Sequence, residues 1–240
     1  MLIISINNFE NTMKKFFVMA AMTVAVLTAS AQTRFEPGTI TLQPRLGGTG
    51  SEFVNAPDMS VNGHTVEADA TEGNFTGIDL EYYLSNRLGI AAGLNYSGAG
   101  TGWKSFDYTS DNIKYEVKEL AWKTDYINIP VTLNWYVLKG FALKTGLQLG
   151  FLVDADFYSR TKYSQNGTDY TLAEERSVKD DFNKFDIAIP IGLSYEFKFP
   201  IVIDLRFNIG LTKVNKNDTP DGKDYQNFQA ALTLGYKFKL

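Results

Sequence analysis

Nine charged residues stand out by where they fall. Arg45, Asp79, Glu81, Lys144, Asp186, Glu196, Asp204, Arg206 and Lys237 each occupy the polar phase of a stretch whose alternate positions are apolar. Five are acids and four are bases, so the chemistry open to them is ion pairing or the lining of an ion path. A buried charge without a partner is too costly to keep. The expectation is therefore a packed plug of salt bridges, with Arg206, between Asp204 and Asn208, as its hub. A narrow path for ions is the alternative use of the same side chains.

Catalytic chemistry finds little to work with. His64 is the single histidine and there is no cysteine. A metal site needs more ligands at a recognisable spacing. His64 with Ser51 or Ser60 imitates the nucleophile and base of a lipid-modifying enzyme, but without a recognisable spacing. The glycine-rich runs Gly47–Gly50 and Gly98–Gly102 precede no helical pattern and carry no phosphate-loop lysine, so they read as bends. No catalytic residue, metal or cofactor is expected. The polar segments instead carry aromatic side chains suited to contact with a partner: Trp103, Phe106, Tyr108, Tyr115, Phe157, Tyr158 and Tyr163. They either pack on one another or form a recognition surface.

The elements that must position these residues are strands. From Phe185 to Phe197 every second residue is Phe, Ile, Leu or Tyr, and the residues between are small or polar. Strict alternation makes one apolar and one polar face. The same phase recurs in Thr39–Gly47, Phe75–Leu84, Leu88–Tyr96, Asp125–Tyr136, Phe141–Leu152, Ile201–Leu211 and Phe228–Phe238. Eight such strands of roughly 9–11 residues match the length that crosses a bilayer at a tilt. Short turns at 85–87, 138–140 and 198–200 alternate with long polar segments at 49–74, 98–124, 153–181 and 212–224. This is the layout of an all-β, eight-stranded, antiparallel up-and-down transmembrane β-barrel, apolar outside and polar inside. Aromatics gather at both strand ends as two girdles. Tyr82, Trp135, Tyr136, Phe197 and Phe199 lie by the short turns; Tyr96, Trp122, Tyr126, Phe151 and Phe185 lie by the long segments. Pro44, Pro130 and Pro190 fall inside strands, where local bulges are expected, because a closed barrel has no edge to hold them. A soluble barrel of lipocalin type would need its apolar face inside and no continuous apolar exterior.

The chain of 240 residues has a net charge of -4, which argues against a nucleic-acid partner. Lys14 and Lys15 precede an apolar run, Phe16–Leu27, and Ala29-Ser30-Ala31 follows. That is a secretory leader: residues 1–31 with Met13 as the initiator and cleavage after Ala31, leaving 32–240 as one barrel domain. The apolar run is too short for a spanning helix.

The runs 186–196, 204–211 and 234–238, with Ile129-Pro130-Val131 in the fourth strand, resemble the PorT-like outer-membrane β-barrel family of Bacteroidota. The resemblance spans about Gly38 to the end and implies a small barrel of the OmpA and OmpX kind in a Gram-negative outer membrane. It transfers no catalytic signature. The function it leaves open is a non-enzymatic barrel anchoring long extracellular loops for structural or recognition roles. A small porin-like or secretion-associated component is the second reading. Expected partners are outer-membrane lipid and an extracellular protein or glycan met by the loops, with the barrel a monomer.

Overall fold

The computed structural model describes residues 35–61, 63–110, 113–165, 168–217 and 222–240; the leader expected over 1–31 lies outside them. Eight strands form a ring in chain order: β1 (Ile40–Val54), β5 (Thr71–Ser85), β6 (Leu88–Trp103), β8 (Ile113–Leu138), β9 (Phe141–Gln165), β11 (Phe185–Glu196), β12 (Ile201–Gly210) and β13 (Gln226–Tyr236). Every neighbour is antiparallel, and β13 returns to β1 to close the barrel. The short strands are β2 (Met59–Val61), β3 (His64–Val66), β4 (Ala68–Asp69), β7 (Phe106–Ser110), β10 (Thr168–Ser177) and β14 (Phe238–Lys239).

Alternation sets which face is which. On β1, Thr41, Gln43 and Arg45 are buried inside while Ile40 and Leu46 are exposed outside. The same phase exposes Ile78, Leu80, Leu133, Leu147, Ile191 and Leu234 on other strands. The result is a continuous apolar exterior around a polar core, the reverse of a lipocalin. No helix among the described residues is long and apolar enough to cross a membrane. A closed ring of strands satisfies its backbone groups without one.

The short turns are where the sequence places them. Gly140, between β8 and β9, has φ +74°, and a Cβ there would collide with the Glu196 carbonyl oxygen. The Gly140 carbonyl in turn accepts from Glu196 N at 2.7 Å, tying the turn to β11.

Three expectations need correction. The first concerns the prolines, which cause no bulge. Pro44, Pro130 and Pro190 each keep an unbroken register with one neighbour: Pro44 with Ile78, Pro130 with Gln148 and Pro190 with Asn208. Towards the other neighbour the ladder lapses for two residues and resumes in the same register. Ala92↔Val131 and Asn95↔Asn128 bracket one lapse; Ala188↔Gln148 and Ile191↔Thr145 bracket another. The third lies between Leu42↔Phe238 and Arg45↔Gly235, where β14 and β13 part. A missing N–H costs one side of the strand only, so no residue need be inserted. True register shifts occur elsewhere, at Tyr83/Ser85 and at three points of the β8–β9 pair.

The second correction is that much of the long polar segments is strand. β8 and β9 run 26 and 25 residues, well past the apolar band, and with β7 and β10 they raise a four-stranded sheet above the rim. Period-2 hydrophobicity stops at the rim because neither face beyond it meets lipid. The Thr, Tyr and Val residues that favour strands continue.

The third concerns the girdles. Tyr82, Trp135, Phe199, Tyr96, Phe151 and Phe185 are exposed at the strand ends, but Tyr126 and Tyr136 are buried inside and Trp122 packs above the rim. Their parity matches that of Asn128 and Asn134, so the inward direction was readable.

Candidate functional site

The inward residues fill the barrel in tiers. Nearest the short turns, Lys237 Nζ lies 3.1 Å from Glu81 Oε2 and 3.4 Å from Glu196 Oε2. It also donates to the hydroxyls of Tyr83 and Tyr136 at 3.0 and 3.2 Å. Glu81 Oε1 accepts from Tyr136 OH at 2.7 Å and from Asn134 Nδ2 at 2.8 Å. Phe35 packs on Tyr83 and closes this end. Tyr83, Asn134 and Tyr136 were missing from the sequence-derived cluster, although each shares the inward phase of its strand.

The middle tier joins five charges. Arg45 meets Asp79 at 3.1 Å and Asp204 at 3.3 Å. Lys144 Nζ meets the second Asp204 oxygen at 2.5 Å. Arg206 sits 3.6 Å from both Asp79 and Asp204. The shared group is therefore the Asp204 carboxylate, with three cations around it, rather than Arg206. Arg45 also lies over the Phe75 ring, 4.6 Å from its centroid. Space for the carboxylates comes from β6. Gly89 and Gly93 face Glu81 and Asp79 so closely that a Cβ at either would overlap a carboxylate oxygen.

Above this lies a tier of amides. Asn128 donates to Asn95 and Ser97 at 3.0 Å, Gln229 donates to the Gly98 carbonyl at 2.8 Å, and Asn208 donates to Gln229 at 2.8 Å. Asp186, grouped with the ion pairs by sequence, belongs here: its oxygens accept from Thr212 at 2.5 Å and Asn227 at 2.9 Å.

The mouth is stoppered by apolar side chains. Phe53, Tyr126, Leu152, Val178, Phe182, Val214 and Tyr225 form one buried cluster. Val178 and Phe182 flank a short 3-10 turn, Lys179–Asp181, and a bridge pairs Phe182 with Asn215. The Tyr225 backbone N–H donates to Asn215 Oδ1 at 2.8 Å. Val178, Phe182, Val214 and Tyr225 sit in segments without period, so no sequence signal pointed to them.

Outside, the loop aromatics divide into two groups. Trp103 is buried with Val66, Val117 and Leu120, and its Nε1–H donates to the Pro57 carbonyl at 3.0 Å, which holds Ala56, Pro57 and Met59 near the sheet. Phe106, Tyr108 and Phe157 pack partly against that cluster. Further out, Tyr108, Tyr115, Tyr163 and Tyr170 stack in a row across β7, β8, β9 and β10, with centroids 5.0, 5.3 and 5.1 Å apart. Tyr158 donates to Glu175 at 2.9 Å, with Lys123 over its ring. His64 opens β3, in the two-stranded hairpin with β2. Among the described residues no group of three or more His, Cys, Asp or Glu could hold a metal ion.

A family profile described as "Outer membrane protein beta-barrel domain" matches residues 30–216. Among solved structures the chain is similar to Ail, the attachment invasion locus protein of Yersinia pestis, crystallised with the heparin analogue sucrose octasulfate. That pair shares 14% identity over 84% of this chain and 99% of that one, with a TM-score of 0.41. It is also similar to Neisserial surface protein A, at 13% identity over 83% and 97% with a TM-score of 0.40. OprG from Pseudomonas aeruginosa matches at 11% identity over 85% and 99%, with a TM-score of 0.40. No curated protein matches the chain. The chain belongs to the outer-membrane β-barrel family, and its place is the outer membrane.

Proposed function

We propose that this outer-membrane barrel is a closed, non-enzymatic anchor whose work is done by the sheet it raises above the membrane. The observation that carries this reading is the filled interior. From Phe35 to Phe182, ion pairs, amides and an apolar stopper follow one another along the barrel. An eight-stranded barrel is only wide enough for side chains to fill it. The nine inward charges then serve as structure, and Trp103 and Phe157 hold the extracellular part in place. The Tyr108–Tyr170 row, half-buried until it reaches the exposed Tyr170, is left as the surface for a protein or glycan.

In this reading the barrel is a monomer, residues 1–31 are a cleaved leader, and the resemblance at 186–196 and 204–211 supports a kinship with PorT-like barrels of Bacteroidota. The test is single-channel recording of the refolded mature chain in a planar bilayer. Silence is expected. Steady openings that change with Arg206→Ala would replace the anchor with a transport role.

A further inference from the structure

The raised sheet ends on two edges, and they differ. β7 is five residues long. β10 is ten residues long and exposed throughout, and it pairs with β9 from Thr168↔Gln165 to Ser177↔Asp156 without a register shift. Proteins ordinarily blunt such an edge with proline, charged side chains, a bulge or a covering loop. β10 reads TDYTLAEERS, without proline or a register shift and with mostly acidic charge, which deters a second copy of itself but not a basic strand, and it terminates the sheet. Along an antiparallel edge, alternate residues turn their N–H and C=O away from the partner strand, here over about 30 Å. The tyrosine row also ends on β10. Tyr170 stacks on Tyr163 and stays 45% exposed, and Leu172, on the same face, is 56% exposed.

We infer that β10 accepts an extended segment of a partner protein as a further strand. This deepens the anchor reading and rests on it. The main chain of β10 supplies the hydrogen bonds. Tyr170 and Leu172 supply the pocket for an aromatic or branched side chain, which prolongs the row. Charge selects the partner. Asp169 and Glu175 share the face opposite Tyr170 and Leu172, where β10 itself carries no cation and Lys162 and Arg160 lie one strand away on β9; Glu174 lies on the Tyr170 face beside Arg176, which is turned to it and to the Phe157 ring. The fitting segment therefore alternates lysine or arginine with aromatic or β-branched residues. A second copy of β10 fits worse, because its carboxylates would meet their own kind.

The test uses the mature chain in lipid nanodiscs and two synthetic peptides of the length of β10. One alternates lysine with tyrosine and valine; the other has aspartate for lysine. The lysine peptide should slow amide exchange in 168–177 by about tenfold and bind about tenfold tighter than the aspartate peptide. Asp169→Lys with Glu175→Lys, both on the face opposite Tyr170, should reverse the preference while the barrel keeps its heat-modifiable gel shift. The inference falls if neither peptide protects β10, if protection appears on β7 instead, or if β10 becomes protected by raising protein concentration with no peptide present. Bilayer recording separates the two readings. A silent barrel without β10 protection keeps the anchor and loses this partner. A conducting barrel with β10 protection loses the anchor and keeps it.

Discussion

Asp204→Ala removes the carboxylate that Arg45, Lys144 and Arg206 share at 3.3, 2.5 and 3.6 Å. Asp204 is 1% exposed, so water cannot take its place. Three cations are left with Asp79 alone. Removing one partner of a buried pair costs about 3–5 kcal/mol, which is roughly two to three and a half powers of ten in the unfolding equilibrium. Arg206→Ala should cost less, about 1–3 kcal/mol, because two acids and two bases remain in balance. Lys144→Met placed in the Asp204→Ala background should recover part of the loss, with a coupling of about 1.5 kcal/mol or more. The assay is denaturant unfolding from lipid vesicles, followed by the fluorescence of the three tryptophans and by heat-modifiable electrophoresis. An Asp204→Ala barrel within about 0.5 kcal/mol of the parent, or more stable than Arg206→Ala, would refute the shared-carboxylate account.

Other outcomes follow from single sites. Gly93→Ala drives a Cβ into the Asp79 carboxylate that Arg45 holds, and should cost about 1–3 kcal/mol in the same unfolding assay. Phe182→Ala should cost about 3 kcal/mol yet leave the bilayer silent, because the ionic tiers beneath it remain. Trp103→Ala should expose the chain around Pro57 to protease while β5–β6 pairing survives; an unchanged cleavage pattern would show that Trp103 does not hold it.

What the sequence reveals depends on contrast between two faces. Where one face meets lipid and the other a polar core, parity assigns both; Arg45, Asp79, Glu81 and Asp204 point where alternation puts them. Above the rim both faces of β9 and β10 meet water or another loop. The period vanishes there, although the strands continue to Gln165 and Ser177. The stopper is hidden for a different reason. Val178, Phe182, Val214 and Tyr225 come from two separate segments and meet only because the ring brings the β10–β11 and β12–β13 connections over one mouth. Asp186 shows a limit of composition as well. Its phase is right, but its height on β11 is set by strand shear, which places it among amides rather than cations.

The charged interior also specifies the fold against its nearest error. A one-residue slip moves every side chain of a strand to the other face. For β12 that slip would carry Asp204 and Arg206 into lipid and bring Ile203, Leu205 and Phe207 into the core. An arginine on the lipid face near the midplane costs about 2–4 kcal/mol by itself, before the ion pairs it abandons are counted. An apolar interior would lack this penalty, since either face could then meet lipid. Glycines sharpen the choice. With Gly89 and Gly93 making room for Glu81 and Asp79 inside the barrel, a slipped β5 would instead set those carboxylates beside Ile90, Ala92 and Leu94 on the lipid face of β6. Charge and space thus reject the same kind of misregister.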